Sequence, residues 1–340
     1  MWSVRVATSI VAALQIRAGT GEPVAAEDSE ELLAAVSGDE RTDHGVDENS
    51  PNSIPNLLWL GRYVQMHARV QLHADPLQHR YATARSPQVS SPSQARVALV
   101  TGSSRGLGRA IAERLAADGL AVAVNNVHGG ERAGEVAEAI RSRGGLAEAF
   151  GADVTDEQQI AALVDAVTVR LGSIDVLVLN ATGPQPEAPI ADVSWEDHLA
   201  QLEFFVKSPV LLGRAVLPGM RERGFGRIVQ IDSEVADRPP PGRSAYATAK
   251  SAQIGLTRAW ARELAPLGIT VNAVAPGFVP VERHSDVPSQ VREAYLATVP
   301  AGRMGTPADI AQAVSFLASE GAGFVTGQRI LVDGGRSLAD

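Results

Sequence analysis

Val97-Ala98-Leu99-Val100-Thr101-Gly102-Ser103-Ser104-Arg105-Gly106-Leu107-Gly108 joins an unbroken apolar run to a glycine-rich turn that leads into an amphipathic stretch. The short aliphatic run predicts a strand buried on both faces. Glycines directly after it permit a tight turn and let a phosphate approach backbone N–H groups at a helix N-terminus, whose dipole favours an anion. A glycine turn by itself is common in ordinary loops. Its position between the first strand and the first helix points instead to a nucleotide site.

Outward from this stretch, apolar runs recur at Ala121–Asn125, Ala147–Phe150, Val176–Leu179, Ile228–Ile231, Thr270–Val274 and Arg329–Val332. Helical patterns fill the gaps near Gly106–Ala117, Glu131–Arg143, Asp156–Leu171, Trp195–Arg223, Ala245–Ala265 and Ala308–Ala318. Such alternation predicts an α/β domain with a doubly wound, Rossmann-like parallel sheet of about seven strands, because parallel strands need crossover helices that then cover both faces. Ligands of these sheets bind beyond the carboxyl ends of the strands. The chemistry is therefore expected in the loops after Val100, Leu179, Ile231 and Val274.

Residues 1–95 differ in kind and are expected to form a largely irregular N-terminal extension to a domain spanning 96–340. Their first 21 residues hold Arg5 and Arg17 and no acid, then Glu22–Glu48 carries ten acids against Arg41, and Ser86–Ser93 is a Ser/Pro stretch of linker type. The apolar run Val6–Leu14 is short for a secretory signal and is followed by Gln15 and Arg17. His67, His73 and His79 are six apart, which does not put them on one helical face, so no metal site is expected.

The chain of 340 residues carries a net charge of −9 with no basic stripe, which argues against a nucleic-acid partner. It has no cysteine, which excludes disulfides, thiolate nucleophiles and cysteine-ligated metals. No apolar run approaches the ~18 residues that a bilayer-spanning helix needs, so a cytoplasmic protein with no membrane partner is expected. Of 30 basic residues only Lys207 and Lys250 are lysines, so a lysine here invites a specific reason.

Lys250 has such a reason. Tyr246 and Lys250 are spaced i,i+4 in a helical stretch, which puts both side chains on one face. A phenol is a poor acid near neutral pH unless a cation stabilises its phenolate, and an ammonium does this. Isolated pairs of this kind are common, but Ser233 lies thirteen residues upstream, directly after the fifth strand and facing the same crevice.

Ser233, Tyr246 and Lys250 in this order behind the glycine loop resemble the catalytic set of the short-chain dehydrogenase/reductase family. The resemblance extends over 96–337, through Gly151-Ala152-Asp153-Val154, Asn180-Ala181, Ala275-Pro276-Gly277, Thr326-Gly327-Gln328 and Val332-Asp333-Gly334-Gly335. It implies hydride transfer between a nicotinamide and a carbonyl or alcohol carbon, with Tyr246 as proton donor, Ser233 on the carbonyl oxygen and Lys250 on the nicotinamide ribose. By the same resemblance Thr101, Gly102, Ser103, Ser104, Arg105, Gly106, Leu107, Gly108, Asp153, Val154, Asn180, Tyr246, Lys250, Pro276, Gly277 and Val279 bind the cofactor. The second strand ends in Asn125-Asn126-Val127-His128, with no acid for a ribose 2′-hydroxyl. Together with Arg105, placed by the resemblance beside a 2′-phosphate, this favours NADP(H) over NAD.

Three departures stand out. The family's Asn-Asn-Ala-Gly after the fourth strand reads Leu179-Asn180-Ala181-Thr182 here. The helical asparagine of the family's tetrad is absent from Leu202-Glu203-Phe204-Phe205, so the lysine-side relay runs through water or backbone carbonyls, or the helix is irregular there. The usual threonine after Pro276-Gly277 is missing from Val279-Pro280-Val281.

The substrate walls are expected at Thr182–Pro189, Glu234–Arg243 and Phe278–Tyr295. The prolines between Arg238 and Arg243 stiffen a loop that either holds an anionic substrate group or is a solvated surface. Overall resemblance is nearest to 3-oxoacyl-acyl-carrier-protein reductases, with another small ketone or secondary alcohol as the alternative. An acidic carrier protein would dock on Arg221, Arg223 and Arg227. A weakly catalytic NADP-binding scaffold is a third reading, suggested by the missing asparagine, and the retained Ser, Tyr and Lys speak against it. Leu199, Leu202, Phe204, Phe205, Val206, Val210, Leu211 and Leu212 exceed what one helix face needs, and a homotetramer is expected.

Overall fold

The computed structural model describes residues 95–128 and 130–338. The expected extension, its targeting readings and the three spaced histidines lie outside the described residues. Seven strands form one sheet: β1 (Val97–Val100), β2 (Ala121–Asn126), β3 (Leu146–Gly151), β4 (Ile174–Leu179), β5 (Gly226–Ile231), β6 (Ile269–Pro276) and β7 (Arg329–Val332). Their order is β3-β2-β1-β4-β5-β6-β7 and every neighbouring pair is parallel. The order reverses between β1 and β4, which opens the crevice where such sheets bind ligands.

The strands read as continuous apolar runs because both faces are covered. Successive side chains alternate between faces, so Ala98 and Val100 enter one core cluster while Val97 and Leu99 enter the other. The first cluster packs beneath α1 (Gly106–Ala117), α2 (Glu131–Arg141) and α8 (Pro307–Ala318). The second is covered by α3 (Glu157–Arg170), by α5 (Ser208–Arg223) and by α6 (Ser244–Leu264). Each large side chain fully buried in these layers contributes about 1.5–3 kcal/mol relative to leaving it in water.

Local signals fix the helix ends. Asp156 caps α3 by accepting from the N–H groups of Gln158 and Gln159, and Thr306 with Asp309 forms a capping box at the start of α8. Gly224 ends α5 in the left-handed region at φ 63°.

Two expectations need correction. The single helix predicted over Trp195–Arg223 is α4 (Trp195–Leu202), a π-helical turn (Glu203–Lys207) and then α5. Pro209 has no N–H to give the carbonyl of Phe205, so one rung of the α-helical ladder is missing where the π turn meets α5. The substrate-wall segment 278–295 contains a helix that the sequence pattern did not suggest, α7 (Ser289–Leu296).

Candidate active site

The glycine loop after β1 is held by side chains directed inward. Thr101 Oγ1 donates to the carbonyl of Val178 at 3.2 Å and accepts from the N–H groups of Asn180 and Ala181, both at 3.0 Å. Ser103 Oγ donates to the Val100 carbonyl at 2.7 Å and accepts from Asn125 N at 3.0 Å. Asn180 Nδ2 donates to the carbonyls of Thr101 and Gly102. These three expected cofactor contacts therefore tie the loop to β2 and β4 through their side chains. Ser104, Arg105 and Leu107 keep exposed or half-buried positions on the loop and the first turn of α1.

Gly102 and Gly106 have φ of 62° and 56°, open to glycine and costly for other residues. At Gly108 a Cβ would lie 2.5 Å from both Asn180 Nδ2 and the Gly102 carbonyl oxygen, so the first turn of α1 has no room for a side chain. Asp153 follows β3 and its Oδ1 accepts from the N–H and hydroxyl of Thr155, while Val154 is buried in the core. Gly277 lies against Tyr295, whose hydroxyl accepts from Phe278 N at 2.7 Å and donates to Glu234 Oε1 at 2.8 Å. Val279 is buried behind the loop that continues to α7.

Ser233, Tyr246 and Lys250 meet at the carboxyl end of β5. Ser233 Oγ accepts from Val235 N at 3.2 Å, and Ser233 lies near enough to Tyr246 to influence its phenol. Burial raises the Tyr246 phenol above its ordinary range, and the Ser233 side chain with the charges of Arg283 and Arg243 pulls it back. Lys250 Nζ lies 5.6 Å from the Tyr246 ring centroid and donates to the Ile231 carbonyl at 2.7 Å. Burial pushes its pKa down to about 7, against the opposing pull of Asp232.

Five residues around this set were not legible as site residues. Asp232 is buried and ion-paired with Arg329, whose Nη2 also donates to the Ser233 carbonyl at 2.7 Å and whose Nη1 reaches Asp237. Phe205, brought inward by the π turn, packs edge-on against Tyr246 with ring centroids 5.5 Å apart. Gln253 touches Lys250 from the next turn of α6. Arg283 contributes positive charge at Tyr246 from the loop before α7. The polar Asp232 closing an apolar strand and Arg329 opening another were the available signals.

Two expectations about arginines change. Arg238 donates to the Arg336 carbonyl and Arg243 pairs with Glu187, so the Arg238–Arg243 loop is braced against neighbouring segments. The proposed carrier-protein surface is depleted: Arg227 is buried and donates to the Ser319 carbonyl, and Arg223 is paired with Asp175.

The family model described as enoyl-(acyl carrier protein) reductase matches residues 102–337. The chain belongs to the short-chain dehydrogenase/reductase family. It is an oxidoreductase of that family. The chain is 39% identical over 240 residues to cis-4-hydroxycyclohexanecarboxylate dehydrogenase of Sinomonas cyclohexanicum, covering 71% of this chain and 96% of the relative. It is likewise 39% identical to a 3-oxoacyl-[acyl-carrier-protein] reductase of Staphylococcus aureus, covering 70% and 96%. The solved gluconate 5-dehydrogenase of Burkholderia cenocepacia, in complex with NADP and tartrate, superposes with a TM-score of 0.69 at 33% identity, covering 73% of this chain and 97% of that one.

The short-chain dehydrogenase/reductase fold implies a nicotinamide dinucleotide, and the residues present fit one. The glycine-rich turn at Gly102–Gly108 opens at the N-terminus of α1, where no acidic residue occupies the first turn. At the end of β2, Asn125 is tied inward to Gly102 N, and Asn126 Oδ1 is shielded from solvent without a hydrogen-bond partner among the described residues. The neutral Asn125 and Asn126 agree with a 2′-phosphate better than an acid would.

Proposed function

We propose that this protein is an NADP(H)-dependent carbonyl reductase, acting reversibly on a ketone and its secondary alcohol. The observation that carries this reading is the grouping of Ser233 and Tyr246 beside the buried Lys250 at the carboxyl end of β5. The loop 102–108 with Arg105 would hold the dinucleotide phosphates, and Asp153, Val154, Asn180, Pro276, Gly277 and Val279 would frame its nucleoside ends. When bound, the nicotinamide supplies the hydride. Ser233 holds the substrate oxygen, Tyr246 gives it the proton, and the Lys250 ammonium steadies the phenolate left behind.

The first substrate class to test is a 3-oxoacyl thioester, supported by the similarity to acyl-carrier-protein reductases. A second class, a small ketone bearing a carboxylate, is favoured by the positive charge of Arg283 at Tyr246 and by the depletion of the basic docking surface. We further propose a cytoplasmic homotetramer. No helix among the described residues is long and apolar enough to cross a membrane, and Trp195 and Leu199 of α4 are exposed, with a second copy as their covering surface. Light scattering at micromolar concentration should give four chains, and a fully active monomer would overturn the assembly.

The test of the reaction is purified protein with NADPH against 3-oxoacyl thioesters, cyclic ketones, quinones and keto sugars, in the wild type and Tyr246→Phe. The variant should bind NADPH and lose nearly all turnover. Retention of more than a tenth of kcat, a barrier change of about 1.4 kcal/mol, would remove Tyr246 from its role.

A further inference from the structure

Lys250 is buried, and a buried ammonium must find acceptors for its N–H groups. Two are visible. The Ile231 carbonyl accepts at 2.7 Å and Gln253 Oε1 at 3.0 Å. The Phe205 ring closes another side, with Nζ 3.7 Å from its centroid, a distance typical of a cation held over an aromatic face. Phe205 lies in the π turn, within the stretch where the family resemblance led to an asparagine. A phenyl ring offers the ammonium its face and no lone pair.

Gln253 is itself fixed. Its Nε2 donates to Gln230 Oε1 at 3.2 Å, Gln230 Nε2 donates to Thr257 Oγ1 at 2.9 Å, and Thr257 Oγ1 donates back to the Gln253 carbonyl at 2.8 Å. All three side chains are buried. The amide orientation follows from the network: Gln253 must turn its nitrogen toward Gln230 Oε1, and its oxygen then faces Lys250. A free glutamine would lose its rotamer freedom on meeting the lysine, but this one is already ordered.

We propose that Gln253 is the positioning residue for Lys250 in this enzyme, its amide oxygen holding the ammonium beneath Tyr246 while the Phe205 ring faces it from another side. The inference rests on the reductase reading only for what Lys250 does in turnover. Among the described residues, the charged and titratable groups facing Lys250 are Asp232 at the end of β5, Tyr246 on its own helix and Arg283 from the loop before α7, with Arg329 tied to Asp232. None of them is altered by a change at position 253.

The test uses the full, cofactor-free chain with its lysines labelled at 15Nζ. The chain has only Lys207 and Lys250, so two signals are expected and the exposed Lys207 is an internal reference. Gln253→Met removes the acceptor at similar volume, and Gln253→Glu keeps the shape while adding a negative charge. The Lys250 titration should move down by about one pH unit in Q253M and up by about one to three in Q253E, with Lys207 unchanged. A side chain that only packs the helix would leave the Lys250 titration unmoved in Q253M, where no acceptor for the ammonium would then be lost. With NADPH and an accepted ketone, Q253M should lose ~10-fold or more in kcat with its NADPH Kd within ~3-fold of wild type. Its alkaline limb should move toward lower pH, and that of Q253E toward higher pH. A Lys250 titration unmoved in Q253E overturns the assignment, whether or not Q253M folds. Opposite shifts in a protein whose wild type reduces no ketone uphold the positioning role and defeat the reductase reading instead.

Discussion

Arg329 Nη2 donates to the main-chain oxygen of Ser233 at 2.7 Å, so the first residue of β7 fixes the backbone of the serine proposed to hold the substrate. The same guanidinium pairs with the buried Asp232, which lies between β5 and the serine. Replacing Arg329 by Met strands that carboxylate without its partner, and a stability loss of about 3–5 kcal/mol is expected in urea melts. Arg329→Lys should recover part of this, because an ammonium reaches one of the three acceptors and the planar fork reaches all of them. A loss below ~1 kcal/mol in R329M would show that Asp232 is satisfied by other means.

The cofactor preference is tested at Arg105. It stands exposed on the glycine loop, and Arg105→Ala should weaken NADPH binding by ~10-fold or more while leaving NADH nearly unchanged, because only NADPH carries a phosphate to lose a charge-assisted contact. Equal losses measured by fluorescence titration would place the 2′-phosphate elsewhere.

Gly108 offers a steric test of the loop. An alanine Cβ there would press on the Gly102 carbonyl at 2.5 Å and on Ser103 Cα at 2.8 Å, both backbone atoms that cannot swing aside. Gly108→Ala should cost about 1–3 kcal/mol of stability and reduce affinity for both nicotinamide cofactors. Calorimetry showing full affinity would mean that the loop repacks freely.

The lysine gives a pH signature to the cofactor-free protein. Its pKa is about 7 in the fold against 10.5 in the unfolded chain, so between these values the unfolded state binds the extra proton. Stability should therefore rise with pH across that window through this group. The difference between wild type and Lys250→Met in denaturant melts should grow in favour of the wild type from pH 7 upward. A constant difference would show that Lys250 keeps its ordinary titration.

The Thr306 and Asp309 capping box starts α8, which packs on the first core cluster beside α1. Thr306→Ala removes one of its two reciprocal bonds, and a loss of about 1 kcal/mol is expected with turnover unchanged. A variant as stable as wild type would mean that Asp309, paired with Arg303, suffices as the cap.

Much of the fold and the site was legible along the chain because the signals are local. Val97–Val100 followed by Gly102 and Gly106 fixes a strand, a turn with positive φ and a helix start within a dozen residues. The i,i+4 spacing of Tyr246 and Lys250 fixes a shared helix face without any knowledge of the sheet. Alternating apolar runs and helical patterns then require a doubly wound parallel sheet, since covered strands and crossover helices imply each other.

The tertiary structure decided what surrounds those residues. The contacts of Lys250 come from β5, the π turn and α6, and the contact between Ser233 and Arg329 spans 96 positions. No periodicity records such pairings, because they depend on which strands become neighbours and on where the long helix passes through its π turn. For the same reason Arg223 and Arg227 read as a basic surface in the sequence, yet the fold directs one to Asp175 and buries the other beneath Ser319. The sequence alone determined the strands, most of the helices and the chemical groups of the site. Their charge environment, and with it the protonation of Tyr246 and Lys250, was set by desolvation and by partners that only the packed sheet brings within reach.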